Sequence, residues 1–325
     1  MIGTILVTAL LGVGVWLLIG QAANYSRLVD AVRRAEPVWF VLSLAGVPVA
    51  YLGYALLYQV IAGAWDGPRP HLRLALRVTT GVLGASTVAT AAGRLGGEYW
   101  TLRRLGHRPP HAWTRVLALN TAQWAVLAGL AWWGALSQLV GTAHSAPLGV
   151  EIAWLVAPPV CVAGGLFFTS GRRRRLAEDH GGKVRRTLAS ALRAVALLRQ
   201  LASDRREGLR ALAGGLLHWG GDLLAVWAAL RAFGVTIGPG PLAVAFATGY
   251  VSTTLPLPAG GAGGVEAAST YALTLVGVPL GPALLASLVQ RICTYWLPLG
   301  VALVSARSLK RLGGDLKALA QRSSA

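Results

Sequence analysis

Pro256-Leu257-Pro258-Ala259-Gly260-Gly261-Ala262-Gly263-Gly264-Val265-Glu266 lies between two strongly apolar stretches and ends on an acid. Two prolines remove backbone donors and four glycines admit conformations that other residues avoid, so a helix must break here. The apolar flanks put the break at membrane depth, where irregular backbone survives only if it is buried in protein or lines a wet cavity. Pro256, Pro258, Gly260, Gly261, Gly263 and Gly264 form its hinge. A carboxylate in hydrocarbon is costly unless paired or hydrated, which makes Glu266 a candidate functional residue.

The composition is that of a polytopic membrane protein: 54% hydrophobic and 13% charged residues exclude an ordinary soluble domain. Apolar runs near 1–20, 38–64, 116–140, 150–170, 209–230 and 283–306 are long enough for spanning helices. Two further runs, 74–97 and 241–280, are interrupted by glycine. The net charge of +18 sits in short loops beside the spans, which argues for topology and anionic lipid and against nucleic acid. Cys161 and Cys293 fall inside spans, so neither suggests a disulfide or a metal. His107 and His111 are separated by Pro109 and Pro110, which deny a helical metal pair. Neither a metal nor a cofactor is expected.

Ala92-Gly93-Arg94-Leu95-Gly96-Gly97-Glu98 echoes Gly260 to Glu266, each a small-residue tract running into a single Glu. Gly93, Gly96 and Gly97 are the corresponding hinge, and Glu98 and Arg94 join the candidate site. Two long helices precede each break and one follows, which suggests half-repeats at 1–140 and 141–306. The second half contains a basic linker at 171–208, and a basic tail follows at 307–325. The linker, with Arg172 to Arg175, and the tail should be cytoplasmic, whereas 141–151 has no Lys or Arg and should face outward. Each arm of the 241–280 segment holds roughly 16 residues, near the lower limit for a span, so a re-entrant hairpin is favoured over two full spans. The expected fold is all-α integral membrane: about six full transmembrane helices plus two glycine-broken re-entrant hairpins, forming an inverted repeat. Both termini are then cytoplasmic.

Other residues fill in the site. His218 and Asp222, four apart, share one face of a membrane helix and should look into the bundle. Arg291, beside Gln290, is a guanidinium inside a span and needs an anion, which Glu266, Asp222 or a lipid phosphate would supply. Asn120 and Gln123 are expected to join helices, and Trp39 and Trp65 to anchor helix ends at the interface. Around Leu188, Leu192, Val195, Leu198 and Leu201 the linker reads as an amphipathic helix lying on anionic lipid.

The stretch from Asp222 through Leu255-Pro256-Leu257-Pro258, Gly260-Gly261, Gly263 and Glu266 to Gln290-Arg291-Ile292-Cys293-Thr294-Tyr295-Trp296-Leu297-Pro298-Leu299-Gly300 resembles the transmembrane region of lysylphosphatidylglycerol synthases. The likeness is strong over 209–306 and weaker before it. It implies a multi-pass protein of a prokaryotic inner membrane, of the flippase-like kind that moves a charged or phosphate-bearing lipid between leaflets. The chain departs from the family at Gly93 to Glu98, at Thr101, where an arginine is common, and around Arg115, Asn120 and Gln123. The soluble aminoacyl-transferase domain of the fused synthases is absent, so the resemblance implies no lysyl transfer. Three function classes remain: a lipid transporter, a non-transporting partner or scaffold for a lipid-modifying enzyme, and a membrane-embedded enzyme on a lipid-linked substrate. The last is disfavoured by only 12 acidic residues without a paired-carboxylate motif.

Overall fold

The computed structural model describes residues 30, 32–141, 146–169, 183–254, 263–304 and 306–324. The apolar run at 1–20, Arg172 to Arg175, and the hinge residues Pro256, Pro258, Gly260 and Gly261 lie outside the described residues. Among the described residues the regular elements are helices: α1 Pro37–Gly63, α2 Leu72–Arg104, α3 Pro109–Val140, α4 Leu148–Phe168, α5 Lys183–Ser203, α6 Arg205–Ala232, α7 Pro239–Tyr250, α8 Gly264–Leu275, α9 Leu280–Arg291, α10 Leu297–Val304 and α11 Ala306–Ser324. Proline opens α1, α3 and α7, where a missing N–H costs nothing. Asp204 caps α6 by accepting from the backbone N–H groups of Arg206 and Glu207. By length and composition, Pro37–Gly63, Pro109–Val140 and Leu148–Phe167 can each cross a membrane. The chain is an all-α membrane protein.

The longest helix contact is between α1 and α6, which run antiparallel. Two glycines on each helix bring the backbones together. A Cβ at Gly46 would stand 2.4 Å from the Gly221 carbonyl oxygen, and one at Gly53 would stand 2.2 Å from the His218 nitrogen and 2.6 Å from the Gly214 oxygen. The contact is reciprocal: Gly46 meets Gly221 and Gly53 meets Gly214. Gly46 and Gly214, Gly53 and Gly221, and Glu98 and Glu266 are each 168 residues apart in sequence (214 − 46, 221 − 53, 266 − 98). Polar contacts finish the seam, with Ser43 donating to the Ala225 carbonyl at 2.9 Å and His218 Nδ1 3.2 Å from the Ala50 carbonyl oxygen.

α2 carries helical hydrogen bonding throughout, yet it is not straight. A Cβ at Gly97 would stand 3.4 Å from Val82, although 15 residues along a straight helix span ~22 Å. Arg77 and Trp100, near its two ends, also both reach α11. The segment therefore folds back between Val82 and Gly97. Gly93, Gly96 and Gly97 are helical and belong to the return arm, which corrects the hinge role expected of them. The tract has no proline, and a glycine alone costs a helix only ~1 kcal/mol. The second hairpin is α7, the 3₁₀ turn Val251–Thr254 and α8. Its arms also lie side by side, a Cβ at Gly249 standing 2.8 Å from Ser269 Cα. At 12 residues each, α7 and α8 span only ~18 Å, short of a ~30 Å hydrocarbon core.

The two hairpins open at opposite ends of the bundle. α2 starts and returns where α1 ends and α6 begins, marked by the Arg69–Glu207 pair and by Arg115, which donates to the carbonyls of Ala62 and Ala64. α7 starts where α1 begins and α6 ends, marked by Phe40 against Phe233 and by Arg231 over the rings of Trp39 and Trp227. The Trp39 end fits the expected anchoring, as does exposed Trp65, whose Nε1 donates to Gln200 at 2.6 Å.

The amphipathic linker helix exists as α5; Leu198 and Leu201 of its apolar stripe are half-buried against the core, and Leu192 and Val195 are half-buried. Ala194 and Leu197 are fully buried in the core with Leu102, Leu105 and Leu119, because a stripe facing the bundle gains more burial than one on headgroups. The tail helix α11 likewise docks on α2 through Leu312 and Leu316, with Arg77 donating to Asp315 at 2.5 Å.

Gly53→Val or Gly221→Val should destabilise the protein by roughly 1–3 kcal/mol or more, because backbone stands where the side chain must go. Gly220→Ala, whose Cβ meets nothing within 4 Å, should be neutral or stabilising in the same thermal melt.

Candidate functional site

The return arm of each hairpin carries a glutamate paired with a guanidinium. On α2, Glu98 is fully buried, with every oxygen engaged. Tyr54 of α1 donates to Oε1 at 2.6 Å, Asn120 of α3 donates to Oε2 at 2.7 Å, and Arg94, one turn back, is 3.3 Å from Oε1. Arg94 also donates to Gln123 and lies 5.4 Å from the centre of the Tyr54 ring. The seam continues from Tyr58 to Thr101 at 2.9 Å, and Thr101 Oγ1 donates to the Glu98 carbonyl. Asn120 and Gln123 thus join helices as expected. They do so by holding the charge pair.

Arg94 stands between α2 and the neighbouring helices α1, α3 and α6. Besides Tyr54, Glu98 and Gln123, it lies within electrostatic reach of His218, Asp222 and Tyr250. His218 and Asp222 do look into the bundle: the His218 ring packs edge-on to Tyr54 at 5.7 Å, and Asp222 is electrostatically coupled to Tyr51. Trp219 fills the space beside them, its Nε1 donating to the Gln123 carbonyl at 2.7 Å and its ring 4.7 Å from Tyr250.

On α8, Gly263 takes φ +83°, a conformation open to glycine, and turns the chain into the helix that carries Glu266 in its first turn. Arg291 of α9 is 2.9 Å from Glu266 Oε1, so the anion its guanidinium requires is Glu266. Arg291 lies 11 residues beyond Leu280, ~16 Å along the apolar helix α9. A π-helical turn, Ile292–Trp296, follows directly and joins α9 to α10, a distortion frequent at functional sites. Gln290 enters through its backbone, the carbonyl accepting from Thr294 at 2.9 Å. Glu266 Oε2 is buried without a hydrogen-bond partner.

A sequence profile described as Lysylphosphatidylglycerol synthase TM region matches residues 2–302. The chain belongs to the lysylphosphatidylglycerol synthase transmembrane-region family. Comparison with curated proteins gives no match. Family membership makes this an integral membrane protein related to lipid handling. Within the lysylphosphatidylglycerol synthase transmembrane fold, the site residues that sequence reasoning missed are Tyr54 and the buried Arg115. The signal for the first was present: Tyr51, Tyr54 and Tyr58 stand at helical spacing in an otherwise apolar run. Arg115 was readable only as a departure, and its role is to close the carbonyl end of α1.

Tyr54→Phe should cost about 1–3 kcal/mol in a detergent melt by stripping Glu98 of its neutral donor. Tyr51→Phe removes a buried hydroxyl that has no partner and should be neutral or stabilising.

Proposed function

We propose that the protein translocates a charged or phosphate-bearing lipid between leaflets through a polar path between two inverted half-repeats. The observation that carries this reading is the pair of Glu–Arg sites held inside the bundle by hairpins that open at opposite ends. Ionisable side chains at that depth are expensive and mark substrate or ion pathways. Broken helices in corresponding positions of two halves are the usual frame for such a path. The reciprocal glycine contact supports the inverted repeat. Gly46 on Gly221 becomes Gly214 on Gly53 when 168 residues are added to one partner and removed from the other, as a two-fold axis between antiparallel helices requires.

Arg94 and Arg291 would meet the lipid phosphate, whose oxygens accept two parallel hydrogen bonds from a guanidinium. Glu266 would face the head group. Glu98, closed in by three donors, acts as a positioning residue for Arg94. The basic linker and tail place their end of the bundle on the cytoplasmic side of a prokaryotic inner membrane, against anionic lipid. The termini then lie on that side.

In liposomes carrying headgroup-labelled anionic lipid, the protein should speed crossing, and Arg291→Gln should slow it at least tenfold while the variant stays monodisperse. Crossing that is unchanged in both Glu266→Gln and Arg291→Gln would sink the transport reading. Copurification with a lipid-modifying enzyme, without crossing, would favour the scaffold reading, and product formed from labelled lipid by the purified protein would favour the enzyme.

A further inference from the structure

The halves differ around their two glutamates in a consistent direction. Counting 168 residues onward, the donors that satisfy Glu98, the phenol of Tyr54 and the amide of Asn120, become the carboxyl group of Asp222 and the alkyl side chain of Leu288. In the same register, Leu102 and Leu119, both fully buried in the first half's apolar core, become Thr270 and Ser287. Around Glu266 the chain has therefore removed donors and added oxygens.

Those oxygens are unsatisfied. Thr270 is 5% exposed and Ser287 2%, and among the described residues both hydroxyls lack a hydrogen-bond partner, as does Glu266 Oε2. Most helical hydroxyls here bond a carbonyl one turn back, as Thr79, Thr114, Thr248 and Thr294 do. Thr270 and Ser287 do not. The Glu266–Arg291 pair sets the register of antiparallel α8 and α9, and one turn further that register puts Thr270 opposite Ser287. On that register the three buried oxygens belong to the α8–α9 seam, and none is bonded to another. Leaving such groups unmatched is costly, because each has given up its water without a replacement bond.

We infer that Glu266 Oε2, Thr270 Oγ1 and Ser287 Oγ form a binding site for a monovalent alkali cation such as sodium, on the path proposed above. An oxygen-only set suits a hard cation. The single carboxylate already shares its charge with Arg291, which leaves too little to offset a divalent ion. Position beside the Glu266–Arg291 pair makes occupancy a means of coupling lipid movement to an ion, and the site rests on the half-repeat register of the transport reading.

The test is thermal unfolding of the purified full chain in detergent at constant ionic strength, with choline chloride exchanged for sodium, lithium, potassium or methylammonium chloride. Sodium or lithium should raise the melting temperature saturably, as a ligand selective for the folded state must. Thr270→Val/Ser287→Ala should melt no lower than the parent in choline and need at least tenfold more cation for the same shift. Equal melting in all salts, or a sodium shift undiminished in the double variant, overturns the inference. A response to methylammonium without one to sodium also overturns it and assigns the oxygens to a lipid ammonium group. Lipid crossing that requires Arg291 but ignores sodium keeps the transport reading and loses the cation site.

Discussion

The rest of the structure depends on the backbone contact between α1 and α6. Lipid tails are as apolar as leucine, so membrane helices gain little by hiding apolar side chains from one another. Close packing and short polar contacts must hold them. Glycines at Gly46, Gly53, Gly214 and Gly221 remove every intervening side chain, and the adjacent polar groups Ser43 and His218 bond across to main-chain carbonyls. With the two helices fixed, Tyr54 on one and His218 and Asp222 on the other present their side chains to Arg94.

Polar satisfaction then separates the two glutamates. Glu98 is an internal charge whose desolvation is offset by a phenol, an amide and a guanidinium. A buried pair so completely bonded holds helices in register. Glu266 has one guanidinium and a vacant oxygen. The same residue type, on the return arm of each hairpin, does structural work in one and stands open in the other.

Much of this was legible in the sequence. Apolar runs gave the long helices to within a few residues, and the small-residue tracts ending in Glu98 and Glu266 gave both hairpins and both acids. The cost of a lone guanidinium called for an anion beside Arg291, with Glu266, Asp222 and a lipid phosphate as candidates, and Glu266 is the one it meets. The glycine hinge at Gly93 to Gly97 was misread, since glycine without proline permits a helix as readily as a break, and only Gly97 against Val82 reveals where the chain turns. For α5, periodicity says that a helix has a greasy face and not what covers it, and Leu197, outside the stripe read from the sequence, is the residue that reaches the core. Tyr54 escaped notice because a tyrosine in a membrane helix reads first as bulk, and its hydroxyl acquires a role only when Glu98 arrives from another helix.

The π turn at Ile292–Trp296 has a mechanical meaning. Such a turn holds one residue more than the α-helix around it needs. If that surplus moved along the helix or was absorbed at its end, the part on one side would rotate relative to the other by about one residue step, ~100°. Arg291 is the last α-helical residue before the turn. A ratchet of that kind would swing its guanidinium away from Glu266 and leave the helix whole on either side.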